Sequence, residues 1–202
     1  MSEEQQFIET VKVVDGAFIH PEYNLQRMKQ TIKEFFHSSV RNTLFQEMII
    51  PREMKQGVVK CRILYSSSIE NVEFQQYVCR KVSFLKLVDG EDIDYSRKYA
   101  DRSPLMRLLQ EKGSCDDVLI VQNGHITDTS YSNVVLSDGS DYYTPNTFLL
   151  NGTCRQRLIA EGKVIPIDIS VSDLSSFENL YLINAMLDLE DEMIIPVRNI
   201  QR

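Results

Sequence analysis

The chain reads as an α+β protein of two lobes, and three observations carry that reading. Runs rich in Val, Ile, Tyr and Phe are separated by amphipathic stretches, without the strict strand-helix-strand alternation of a doubly wound fold. At 202 residues, 43% hydrophobic and 25% charged, the composition is that of an ordinary globular protein, long enough for one domain or two small ones. The Gly-, Asp- and Ser-rich stretch VDGEDIDYS (88–96) reads as a linker, so a small N-terminal lobe is expected over residues 1–88 and a larger, β-rich lobe over 89–202.

Phe7–Val14 alternates loosely and ends at the turn signal Asp15-Gly16, which predicts a strand. After Pro21, the residues Leu25, Met28, Ile32, Phe35 and Phe36 recur at helical spacing and predict an amphipathic helix, with Arg27 beside its apolar stripe. GVVKCRILYSS (57–67) and the longer FQQYVCRKVSFLKLV (74–88) read as strands. Ser103-Pro104 opens a helix that Gly113 stops. VLIV (118–121) is a buried type of strand, Asn123-Gly124 signals a hairpin, SNVVL (132–136) is a strand and SDGSD a turn. LNGTCRQRLIAEG enters a helix at Gly152-Thr153 and leaves it at Gly162, and KVIPIDIS, NLYLINAM and MIIPV supply three further strands.

A formal charge of −7 with no run of basic residues makes the chain a poor binder of nucleic acid. Cys61, Cys79, Cys115 and Cys154 form no C-x-x-C pair and have no His at ligand spacing, so neither a metal site nor a disulfide framework is signalled. The N-terminus is acidic with no apolar region behind it, and no stretch has the roughly 18–20 apolar residues of a membrane helix. A soluble, cytoplasmic protein with reduced thiols is expected, with no nucleic-acid or membrane partner. There is no G-x-G-x-x-G, G-x-x-x-x-G-K-[ST], G-x-S-x-G or H-E-x-x-H. His20, His37 and His125 fall at a turn, a helix end and a hairpin, and read as surface or capping residues.

Three positions carry candidate chemistry, each with an ordinary alternative. Lys98, just past the linker, is either a desolvated amine able to form a Schiff base or a solvated lysine beside Arg97 and Arg102. Gly152-Thr153-Cys154 opens a helix and is either an anion site or a plain N-cap with Thr153 as the capping hydroxyl. Asp128, just before a strand, is either a functional acid or a solvated hairpin carboxylate.

Taken together with their surroundings, these segments resemble the class IV, fold-type IV pyridoxal-phosphate enzymes: branched-chain and D-amino-acid aminotransferases and aminodeoxychorismate lyases. FIETVKVVDGAFIHPEYNLQRM is similar to the family's F-E-T-x-R-V…D-G…H-x-x-R-L opening, with Asn24 where His is usual. YSRKYADR resembles the lysine segment with its lyase-like K-x-x-N/D-R continuation. DDVLIVQNGHITDTSYSNVVL resembles D-E-x-L-x-L…G-x-x-x-E-x-x-x-x-N, YYTPNTFLLNGTCRQRLI resembles T-P…L-x-G-[IT]-x-R, and LYLINAML resembles the strand ending in Asn-Ala.

The resemblance implies the two-lobed fold of the D-amino-acid aminotransferases, pyridoxal 5'-phosphate as cofactor, a small-molecule amine as substrate and a homodimer. It implies Lys98 as the catalytic, cofactor-bearing lysine. It also implies cofactor contacts from Arg27, Asp128, Asn133, Gly152, Thr153, Cys154 and Asn184, and substrate contacts from Lys12, Thr10 and Arg102. The activity implied first is 4-amino-4-deoxychorismate lyase, with a class IV aminotransferase as the alternative and a non-catalytic relic of the fold as a third reading. Besides Asn24, the chain departs from the pattern at Lys12, where Arg is frequent, and in three further ways. Asp128 replaces the usual Glu, and Cys154 stands where Thr is frequent. Glu4-Gln5-Gln6 replaces a glycine loop, so a trimmed substrate-facing segment at the N-terminus is expected.

Overall fold

A computed structural model describes residues 5–202, and Glu4, the first residue of the stretch expected to replace the glycine loop, lies outside the described residues. Contacts divide the chain into two units, one of residues 5–79 with Arg97–Asp101, the other Arg80–Ser96 with Arg102–Arg202.

The first unit is an antiparallel sheet with one long helix. Strand β1 (Phe7–Val14) turns through Asp15-Gly16, both at positive φ, into the short β2 (Ala17–Phe18). Helix α1 (Pro21–Phe36) follows, with Pro in its first turn and His20 and His37 in left-handed conformation at its two ends. A single helical turn, α2 (Leu44–Glu47), leads to β3 (Val58–Tyr65) and β4 (Ile69–Gln76), and the strand order is β2-β1-β3-β4. Alternation on β1 turns Phe7, Glu9, Val11 and Val13 inward, each fully buried. The helix buries Asn24, Met28, Thr31 and Ile32, a face rotated from the expected stripe: Leu25 is only half-buried and Phe35 is 39% exposed. The rotation follows from the polar side chains of α1 that turn toward Glu9.

The second unit holds the larger sheet. β5 (Leu85–Asp89) runs parallel to β6 (Asp117–Gln122), with α3 (Ser103–Gln110) in the connection between them. β6 turns through Asn123-Gly124, both at positive φ as the hairpin signal requires, into β7 (His125–Thr129). Then come β8 (Asn133–Ser137), β9 (Tyr142–Pro145), α4 (Thr153–Ala160), β10 (Ile165–Ile167), β11 (Asn179–Ile183), β12 (Ile194–Pro196) and β13 (Ile200–Gln201). The path is β10-β9-β8-β7-β6-β5-β13, with β11 against β8 and β12. Its core gathers Leu85, Leu119, Ile126, Leu136 and Leu180, each fully buried.

Two expectations are corrected here. FQQYVCRKVSFLKLV is not one strand: the ladder ends at Gln76 and resumes at Leu85. Between them Val78 is 85% exposed, while the main-chain N–H groups of Ser83 and Phe84 donate to Asp116 Oδ2 at 2.8 and 3.0 Å. The division also differs from 88/89. β5 joins the second unit because it pairs with β6 and β13. VDGEDIDYS is no free linker, since Gln122 Nε2 donates to the carbonyls of Gly90 and Ile93 at 2.7 and 2.9 Å. Residues 97–101 return to β1: Ile8 N–H donates to the Lys98 carbonyl and Ala100 N–H to the Gln6 carbonyl, both at 2.9 Å. Lys98, expected in the larger lobe, therefore belongs to the first unit. No helix among the described residues is long and apolar enough to cross a membrane, and all four cysteines are free thiols.

Candidate active site

In the first unit, the inward row of β1 carries one acid among apolar neighbours. Glu9 is fully buried, and a carboxylate there is tolerable only when paired and hydrogen-bonded. Arg27 on α1 supplies the pair, its Nε donating to Oε1 at 2.8 Å and Nη2 to Oε2 at 2.7 Å. Asn24, three residues earlier on the helix, donates from Nδ2 to Glu9 Oε2 at 2.7 Å and to the Thr10 carbonyl at 2.8 Å. Thr10 and Lys12 point to the opposite face of β1, half-buried, across from Arg62 and Lys60 of β3. Lys98 is half-buried on the strip that pairs with the start of β1, where Tyr99 bridges to Phe7. Pairing with β1 thus brings Lys98 into the same unit as Arg27, Thr10 and Lys12, across some seventy to ninety residues of chain.

The second unit builds its cluster around Asp128, 5% exposed at the end of β7. Asn133 donates from Nδ2 to Asp128 Oδ1 at 2.8 Å, and the main-chain N–H groups of Leu149 and Leu150 donate to Oδ2 at 3.1 and 2.9 Å. Burial pushes the Asp128 carboxyl up to about 6, against the opposing pull of those donors and of Arg155. It is no solvated hairpin carboxylate. Helix α4 begins just beyond, with Gly152 at the N-cap and no side-chain cap. Thr153 is therefore the first helical residue and not the capping hydroxyl. Main-chain N–H groups at such a start, at the positive end of the helix dipole, suit an anion. Burial pushes the Cys154 thiol up to about 12, and its sulfur accepts from Arg157 Nη2 at 3.8 Å.

Asn184 and Arg102 serve the loop between β7 and β8. Asn184 Nδ2 donates to Ser132 Oγ at 2.9 Å, while its Oδ1 accepts from the N–H groups of Met186 and Leu187. Arg102 donates to the Ser130 carbonyl at 2.5 Å and lies 3.9 Å from the centre of the Tyr131 ring. Glu9 and Arg155 were not among the expected site residues. Arg155, 5% exposed, donates to the Pro145 carbonyl at 2.8 Å and to Asn151 Oδ1 at 3.1 Å, bracing the segment that leads into α4. Both left a sequence signal: Glu9 is an acid at an inward strand position, and Arg155 closes the T-P…L-x-G-[IT]-x-R pattern.

The sequence profile of amino-transferase class IV matches residues 97–200. An uncharacterized protein of Haemophilus influenzae is 31% identical over 180 residues, covering 88% of this chain and 96% of the relative. Among solved structures, a protein of Haemophilus somnus provisionally named a 4-amino-4-deoxychorismate lyase superposes with a TM-score of 0.83 at 29% identity, over 93% of this chain and 99% of that one. A provisionally named amino-acid aminotransferase of Mesorhizobium loti has the same fold, with a TM-score of 0.75 at 22% identity over 95% and 97% of the two chains. So does the pyridoxal-phosphate-bound form of a hypothetical aminotransferase of Mycobacterium tuberculosis, at 0.75 and 18% over 99% and 84%. The chain belongs to the class IV amino-transferase family, whose cofactor is pyridoxal phosphate.

Proposed function

We propose that the protein is a pyridoxal-phosphate enzyme acting on a small-molecule amine, and specifically a 4-amino-4-deoxychorismate lyase. The likeness to the Haemophilus somnus protein, 29% identical over 93% of this chain, is the observation that supports the lyase reading. The K-x-x-D-R run of Lys98, Asp101 and Arg102 is in keeping with it.

Each unit holds groups of the kind that the cofactor needs. A dianionic phosphate asks for charge-assisted and main-chain donors, which Arg27 and the N–H groups at the uncapped start of α4, Thr153 and Cys154, are suited to give. Asp128 is the acid suited to hold a proton on a pyridine nitrogen, and above about pH 6 it carries the charge this needs. When bound, pyridoxal phosphate supplies the electron sink for a carbanion. Lys98 Nζ would anchor it and would serve as the base for the proton on the amine-bearing carbon of the substrate. In the lyase reaction the enolpyruvyl group leaves as pyruvate, taking up one proton, and the ring left behind is aromatic 4-aminobenzoate. Lys12, Thr10 and Arg102 are proposed to face the carboxylates of the substrate, and the working form is proposed to be a homodimer.

The protein with added pyridoxal phosphate is expected to show the visible absorbance of a lysine-bound pyridoxal, lost in Lys98→Ala. Its absence would turn the reading toward a non-catalytic relic of the fold. Incubation with 4-amino-4-deoxychorismate and no keto acid is expected to release 4-aminobenzoate and pyruvate in equal amounts. A requirement for 2-oxoglutarate, with glutamate accumulating, would instead identify an aminotransferase, the activity from which the matched family takes its name.

A further inference from the structure

Asn133 stands first in β8, directly opposite Asp128 in the ladder between β7 and β8. Its Nδ2 carries two hydrogens and makes two bonds, to Asp128 Oδ1 and to the Leu150 carbonyl, both at 2.8 Å. Its Oδ1 fills the place where any residue but glycine at 152 would put a Cβ, which would lie 1.9 Å away. The backbone at Gly152 has φ −67° and ψ 147°, an ordinary extended conformation that any residue adopts. Glycine is therefore required at the start of α4 by the neighbouring carboxamide and not by the backbone. Asp128 meanwhile holds the N–H groups of Leu149 and Leu150 with its other oxygen. The turn before α4 and the acid on β7 are thus joined twice, directly through Asp128 and again through Asn133, which alone also packs against Gly152.

We propose that Asn133 is a positioning residue that locks Asp128 and the helix-start turn at Gly152 into one rigid piece, so that neither is displaced without the other. This refines the expectation that Asn133 touches the cofactor, because both of its amide hydrogens are given to the protein. The proposal rests on the functional reading above for its purpose: a ring-nitrogen acid and a phosphate-holding turn must keep a fixed spacing to serve one rigid cofactor. Its physical content is independent of that reading.

The test uses the full chain without cofactor and follows the titration of the Asp128 carboxyl by carbon-13 NMR. Arg155 on α4 is the charged group facing this carboxyl, and it is left unchanged in every variant. Gly152→Ala is expected to drive the Asn133 carboxamide aside and raise the Asp128 midpoint by about one pH unit, although residue 152 is not a hydrogen-bond partner of Asp128. Asn133→Ala is expected to raise it by a similar amount, and Gly152→Ala added to Asn133→Ala to change it little further. Pyridoxal-phosphate dissociation constants are expected to follow the same pattern, rising about tenfold in either single variant and not a hundredfold in the double. An unmoved midpoint in Gly152→Ala, or effects that simply add, overturns the proposal. Should Asn133→Ala fail to fold, the Gly152→Ala midpoint decides alone. Loss of the Lys98-dependent absorbance would count against the functional reading and leave the titration result standing.

Discussion

Removal of Arg27 tests the pairing that organises the first unit. Glu9 is fully buried and Arg27 keeps only 10% of its side chain exposed, so truncation to Ala strands a buried carboxylate whose remaining side-chain donor is Asn24. Losing one member of a buried, bidentate pair costs about 3–5 kcal/mol. For a chain of this size each kcal/mol is worth roughly 2–4 °C, so the cofactor-free Arg27→Ala protein should melt about 6–20 °C lower by circular dichroism. Replacing both partners, as in Glu9→Leu with Arg27→Met, removes the unpaired charge and should recover most of that loss. Cofactor affinity should behave differently. If Arg27 also receives the phosphate, pyridoxal phosphate should bind about 2–4 kcal/mol more weakly in both proteins, however stable the double variant becomes. An unchanged melting temperature in Arg27→Ala refutes the argument from the buried pair. Restored affinity in the double variant refutes the phosphate role.

Asp128 should give the protein a pH signature. Its carboxyl is raised from an ordinary 3.8 to about 6, so between those values the unfolded chain ionises while the folded one stays protonated. Stability should therefore fall by about 3 kcal/mol in all as pH rises from about 3 to about 7, with about 2 kcal/mol of it lost between pH 4 and 6, and the difference in urea midpoint between wild type and Asp128→Asn should isolate that slope. Gly90→Ala should cost about 1–3 kcal/mol by overpacking, because the added Cβ would lie 2.4 Å from Ile120 Cγ2; wild-type melting behaviour would contradict this. Cys154, with its thiol pushed up to about 12, should stay unmodified by iodoacetamide at pH 8 in the folded chain, while exposed Cys79 reacts, as read by peptide mass spectrometry.

What was legible in the sequence is local. The alternation of Phe7–Val14, the Asn123-Gly124 hairpin and the Pro-led starts of α1 and α3 are set by neighbouring residues, and the structure has them where the spacing places them. What was not legible depends on a distant partner. Nothing within YSRKYADR signals that its backbone closes on Gln6 and Ile8, yet that pairing decides which unit holds Lys98. VCRKVSF has the composition of a strand but no ladder partner, so its Val78 is left 85% exposed. The rotated face of α1 shows why an apolar stripe misleads near a site. Phe35 satisfies the spacing, but burying Glu9 demands Asn24 and Arg27 at the interface, and charge compensation outweighs one aromatic ring. Polar residues at inward positions are therefore the more informative marks. Glu9 on β1, Asp128 on β7 and Asn133 on β8 each break an apolar pattern, and each is tied to a residue distant in the chain: Arg27, Leu150 and Gly152. A position where polarity defies burial asks which donor answers it, and in this chain the answers assemble both clusters.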